Sequence, residues 1–191
     1  MSKNCGQESI QVFTLKSRAK MGRSVCRNDK TIVKLIAIAK NSKESEFQRN
    51  PLYVKFKLKK NINVNEIDLI LYGLYPLEFH EESIYWNKRV LKENVGDKDQ
   101  IYHFFNNLVH LYDDVKEYDL VLEYGKRALV WLEQRELCKK KKIWQDMTMV
   151  DCMAAAARHL KKFEESIIYE RQRLTLSSKL EQAGISHDGK T

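Results

Sequence analysis

The chain has 191 residues, 34 Lys and Arg against 26 Asp and Glu, and only seven Gly and two Pro. This composition excludes collagen-like and low-complexity classes and fits one helix-rich domain with a tail. It holds no apolar run long enough to span a bilayer, and Cys5, Cys26, Cys138 and Cys152 lack any CxxC spacing, which points to reduced thiols in a cytoplasmic protein, with the nucleus as the alternative. The charge is unevenly placed. Residues 1–60 hold 15 basic and 4 acidic side chains, so the excess of positive charge belongs to the N-terminal third.

Residues 1–29 read as a basic disordered arm. Lys16, Arg18, Lys20, Arg23 and Arg27 form its cationic string. Nuclear import, nucleic acid and acidic protein tails are its functional alternatives, and a mitochondrial presequence is a further one. Residues 30–60 read as a short helix and a basic linker. Ile32, Leu35, Ile36 and Ile38 give the helix its apolar face, with Asn28 or Asp29 as cap. Ser42 to Asn50 is expected to be a polar linker closed by Pro51. From Leu52 to Lys60 apolar and basic residues alternate, so the stretch reads as an extended linker or a helix start. Its cations are Lys55, Lys57, Lys59 and Lys60.

Residues 61–182 read as helix pairs. The first helix is expected over Glu66 to Tyr75, capped by Asn65 and stopped by Pro76. Gly73 weakens it by up to ~1 kcal/mol relative to Ala. Its partner runs from about Glu78 to Lys92, and Asn94-Val95-Gly96-Asp97 is a turn. The central pair is the clearest. Phe105, Leu108, Leu111 and Tyr112 mark one face of a helix, and Leu120, Val121, Tyr124, Ala128 and Trp131 mark a face of the next. Asp113 to Glu117 between them is a tight turn. The second helix is expected to run on through Glu136 towards Lys139–Lys142, where cations suit a helix C-terminus. Met147, Met149, Val150, Met153 and Ala154 to Ala157 form the following helix. Phe163 opens the last, with Ile167, Ile168 and Leu174 on its apolar face. Ile167, Leu174, Leu176 and Leu180 cannot all face one partner, so an exposed apolar strip is expected, covered by self-association, a partner or further repeats. Residues 183–191 are expected to fray.

The central pair resembles a tetratricopeptide repeat, through Asn107-Leu108, Tyr112, Tyr118, Val121 and Ala128-Leu129. It departs at Val109 and Val121, where small residues are usual, and at Gly125, where a large aromatic is common; the closing Pro is absent. Internal copies support it. Glu81-Glu82-Ser83-Ile84-Tyr85-Trp86 resembles Glu164-Glu165-Ser166-Ile167-Ile168-Tyr169. Aligning Ser83, Val121 and Ser166 gives spacings of 38 and 45 residues, longer than the usual ~34, as in the repeats of kinesin light chain or the Leu-Gly-Asn adaptors. The resemblance implies an all-α solenoid of about three antiparallel pairs, with Tyr112, Tyr118 and Ala128 at the core of the central one. It also implies a concave groove lined by the first helix of each pair.

No nucleotide, nucleophile-elbow or zinc-protease motif is present. The sequence therefore implies no enzyme, no cofactor and no metal site. His103 and His110 are too far apart for one metal without further ligands, and Cys152 has no nearby base. Groove-facing candidates for a protein or peptide partner are His103, Asn106, Asn107 and His110. The resemblance gives Asn107 a peptide-backbone contact. The carboxylate clamp of chaperone-binding members is not expected, since Asp68, Tyr72 and Cys152 stand at the neighbouring positions. The function implied is a non-catalytic protein-interaction adaptor or scaffold subunit. The alternative is nucleic-acid binding by the basic third, with Tyr53 and Phe56 stacking bases between lysines.

Overall fold

The computed structural model describes residues 30–61, 63–134 and 139–182. The expected arm, the expected frayed tail and the caps proposed at Asn28 and Asp29 lie outside them. Among the described residues the chain is all-helical. We number the helices α1 (Lys30–Ala39), α2 (Glu44–Gln48), α3 (Pro51–Lys57), α4 (Val64–Leu74), α5 (His80–Glu93), α6 (Lys98–Asp114), α7 (Tyr118–Glu133), α8 (Lys139–His159) and α9 (Phe163–Gln182). They fall into two compact units, and the division lies inside α6, between Phe104 and Phe105.

The first unit holds α1 to α5 and the start of α6. Here the linker reading of 42–50 is corrected. Glu44–Gln48 is helical because the Glu46 carboxylate accepts from the Lys43 N–H (3.1 Å) and Phe47 is buried. Asn50 then accepts from the Leu52 N–H (3.0 Å), and Pro51 sits at the first turn, so α3 starts at once. Of the two readings of 52–60, the helix start holds. The alternation misleads because Tyr53 and Phe56, three apart, fill the core while Val54 and Leu58 face outward. Phe47 packs on Tyr53 with the rings tilted (centroids 4.1 Å) and touches Phe79, and Phe56 meets Trp86 at 5.5 Å. Arg89 of α5 donates to the carbonyls of Lys57 and Lys59, both at 2.7 Å, and so closes the C-terminal end of α3.

The cap of α4 is also corrected. Asn63, not Asn65, is the cap residue: its Oδ1 accepts from the Asn65 N–H (2.8 Å), while Glu66 accepts from the Asn63 N–H (3.2 Å). Gly73 is explained by α1. A Cβ there would lie 2.5 Å from Ile36 Cγ1. Asp97 and Gln100 cap α6 reciprocally, at 2.8 and 2.9 Å.

The second unit holds the rest of α6 with α7, α8 and α9. Phe105 meets Trp131 and Tyr112 meets Tyr124, so α6 and α7 run antiparallel in one register. Tyr118–His159 and Gly125–Met153 do the same for α7 and α8. Ala128 and Tyr112 are buried as expected, whereas Tyr118 is only half-buried, stacked on His159 at 4.4 Å. Gly125 lets α8 approach: a Cβ on it would stand 2.6 Å from Met153 Cγ. The small-residue stretch of α8 buries Ala154, Ala156 and Ala157. Two boundaries differ from expectation. α7 ends at Glu133, and Lys139–Lys142 opens α8 at the wrong end for the helix dipole. The buried face of α9 is Ser166, Leu176 and Leu180, while Ile167, Ile168 and Leu174 are exposed. Ser166 Oγ donates to the Ala154 carbonyl (3.1 Å), a close approach that a bulky residue would prevent.

One terminator recurs four times. Glu78, Asn94, Lys116 and Lys161 adopt left-handed φ of 57°, 49°, 62° and 59°. Each is followed by an N–H that reaches back to the helix: Phe79 to Leu74, Val95 to Val90, Glu117 to Tyr112 and Lys162 to Ala157. This is the Schellman closure without its usual glycine.

Candidate interaction surfaces

α6 carries the sequence-predicted partner residues. From Ile101 to Tyr112 every side chain is buried except four: His103, Asn106, Asn107 and His110, each half-exposed. Their spacing places them in one stripe along the helix. Buried neighbours therefore fix the helix on its other sides, and the four half-exposed positions are two imidazoles and two amides. His103 Nε2 lies 3.7 Å from Asp68 Oδ1, and its ring contacts Phe104. An amide offers a donor and an acceptor together, the pairing an extended peptide backbone needs.

The lysine-rich stretch separates into different environments. Tyr53 is 0% and Phe56 6% exposed, so neither ring offers a face to a nucleobase. Lys57 is engaged with Glu82, at 2.9 and 3.0 Å. Glu82 is 2% exposed, and it also accepts the Tyr53 hydroxyl, which in turn accepts from Trp86 Nε1 (2.8 Å). Burial, then the bond to Glu82, push the Tyr53 hydroxyl far above its ordinary pKa. Burial raises the neighbouring Glu44, which accepts from the Glu82 N–H at 2.9 Å. This network is a folding element inside the stretch that the sequence presents as a basic linker. A buried glutamate in Glu81-Glu82-Ser83 carries no composition signal; only the aromatic ladder beside it could have marked it. Lys59 bridges to Glu66 (3.0 Å). Lys55 and Lys60 are exposed and have no ion-pair partner among the described residues. Arg49, Pro51, Val54, Lys55, Leu58 and Lys59 line an open depression of about 700 Å³.

α9 gives a third surface, which is apolar. Phe163, Ile167, Ile168 and Leu174 are between 51% and 61% exposed. The expected strip is thus real but has a different membership. Leu176 and Leu180 are withdrawn into a cluster with Ile143 and Val150.

Cys152 is partly buried and free, and its thiol is pushed up to about 11 by burial, with Asp151 and Asp113 adding to the shift. At neutral pH it is the protonated, poorly nucleophilic form. Among the described residues no group of three or more His, Cys, Asp or Glu is placed to hold a metal, and no helix is long and apolar enough to cross a membrane. Lys16, Arg18, Lys20, Arg23 and Arg27 lie outside the described residues. Comparison with protein-family models, curated proteins and solved structures finds no match to this chain.

Proposed function

We propose that this chain is a non-catalytic interaction adaptor or scaffold subunit, built from tetratricopeptide-like helix pairs, and that α6 presents its partner-binding face. The observation that carries this reading is the stripe His103, Asn106, Asn107 and His110. It is the half-exposed, uncharged polar side of a helix whose other faces are packed apolar. A solvated face selected only for solubility would carry lysine and glutamate. Amides and imidazoles instead suit a peptide or helix laid along α6, with hydrogen bonds that lose little to desolvation when paired.

Photo-crosslinking in cells tests it. A photoreactive residue replaces Asn106, Asn107 or His110 in the full chain, with Glu123 on the exposed side of α7 as control. The same protein should be linked from all three stripe positions and not from Glu123. With that protein purified, Asn106→Ala combined with Asn107→Ala should weaken binding at least ~tenfold, equivalent to about 1.4 kcal/mol. Equal labelling from Glu123, or an unchanged affinity, would remove α6 from the reading.

A further inference from the structure

We propose that the outer face of α9 is a homodimerisation surface on which a second copy of the chain lies antiparallel. The argument starts from charges. On α9 the neighbouring ionic groups are used within the chain. Glu165 meets Lys126 (3.6 Å), Glu170 meets Arg158 (2.8 Å) and Arg173 (2.9 Å), and Arg173 also meets Asp151 (3.5 Å). Glu164 and Arg171 are exposed and make no ion pair among the described residues. Both lie on the face that carries Ile167 and Ile168. Glu164 stands three residues before Ile167, and Arg171 stands three residues after Ile168. The pattern Glu-x-x-Ile-Ile-x-x-Arg has opposite charges at equal distances from one centre.

A two-fold axis through that centre, perpendicular to α9, brings Ile167 onto Ile168 of the second copy. It sets Glu164 of each copy against Arg171 of the other. One set of four isoleucines is then flanked by two identical ion pairs, the signature of a self-complementary interface. The parallel arrangement sets Glu164 against Glu164 and Arg171 against Arg171, so the charges also reject the wrong orientation. Leu174 falls opposite Lys161, whose aliphatic stem can cover it. The face has no net charge between Glu164 and Arg171. Of the lysines beside it, Lys162 is paired with Asp119 (2.7 Å) and Lys161 lies against Leu174 of the second copy, so the border is not the continuous cationic row of a helix on an anionic membrane. Between Glu164 and Arg171 it offers no charge bias to a strongly acidic or basic partner. It matches itself. One helix face gives an interface on the order of 1,000 Å², the lower end of the specific range, so the association is expected to be reversible. The proposal is independent of what α6 binds.

Sedimentation equilibrium of the full chain, from micromolar to millimolar, tests it. The wild-type chain should pass from monomer to dimer. Glu164→Lys and Arg171→Glu should each weaken association at least ~tenfold. An equimolar mixture of the two variants should dimerise at least as well as wild type, because every contact then joins opposite charges. The double variant Glu164→Lys/Arg171→Glu should also recover. Both substituted positions are exposed, so the thermal midpoint should hold for Arg171→Glu and fall only slightly for Glu164→Lys, which sits in the first turn of α9. A monomer at every concentration, a dimer indifferent to Glu164→Lys, or single variants that fail to recover on mixing would each overturn the proposal.

Discussion

Replacing Lys57 with Met removes the cation that, among the described residues, touches the buried Glu82 carboxylate. Glu82 has a side chain 3% exposed, and Lys57 is 28% exposed. Breaking a fully buried pair by deleting one partner costs roughly 3–5 kcal/mol, mostly the penalty of the charge left behind. Two features lower that figure here. Water reaches the Lys57 side, and the Tyr53 hydroxyl remains a donor to Glu82. One feature raises it: the ammonium also sits over the Tyr85 ring at 3.9 Å, a contact of ~0.5–1 kcal/mol. The expected loss is about 2–3 kcal/mol. Lys55→Met, one residue pair away on the exposed face, should stay within ~0.5 kcal/mol of wild type. Urea unfolding of the full chain, followed by tryptophan fluorescence, measures both as shifts in midpoint at constant slope. A second arm isolates the pair. Glu82→Met in the Lys57→Met background should cost less than the sum of the single changes by at least ~1 kcal/mol, since no uncompensated charge remains. If Lys57→Met behaves like Lys55→Met, the network is not a folding element and the burial argument fails.

Three further outcomes are expected. Ala128→Leu should lower stability by ~1–3 kcal/mol through overpacking of a fully buried site, and an unchanged thermal midpoint would show that no helix crosses there. Lys116→Gly should raise stability by about 1 kcal/mol, because an exposed lysine there holds φ at 62°; a lower midpoint would contradict the strain. Alkaline pH should destabilise the second unit. The Cys152 thiol is raised from 9.0 to about 11 and the Tyr112 hydroxyl from 10.0 to about 12, both chiefly by burial. Folded pKa values above the unfolded ones mean that this stability is fully present below about pH 9 and is lost as pH rises towards 11 and 12. Cys152→Ser should flatten the lower part of that decline in urea titrations run at pH 8, 9.5 and 11, and an unaltered profile would discount the thiol.

The helix pairs were legible because their apolar spacing is strong and their breaks are polar. Ser83, Val121 and Ser166, aligned from sequence alone, are all buried. The helix ends were harder to read, since four left-handed closures use Glu, Asn, Lys and Lys, where glycine would have announced them. The linker reading fails at 42–50, and 52–60 divides between extended linker and helix start, for a different reason. Alternation from Val54 to Lys60 mimics a strand, while the core residues Phe47, Tyr53 and Phe56 sit on two short helices broken at Arg49 and Asn50, so they follow no single helical period. On α9 the exposed strip is legible but not its membership, because a buried serine donating to a backbone carbonyl leaves no periodic mark of the inner face. The α6 stripe was legible as a face, since the gaps in an apolar pattern are as periodic as the pattern itself.

The contact between Gly125 and Met153 also constrains how this chain can diverge. A side chain at 125 meets the middle of the Met153 side chain, with Cγ and Sδ at 2.6 and 2.7 Å from the Cβ position, so Met153 must change rotamer or be shortened to admit it. A larger residue at 125 is accepted most cheaply in a lineage that has first shortened 153, to alanine for example, and a lineage that takes this first step carries a cavity until the second. Among descendants of one ancestor the two positions should vary together, and a chimera that takes α7 from one branch and α8 from another should be less stable than either parent.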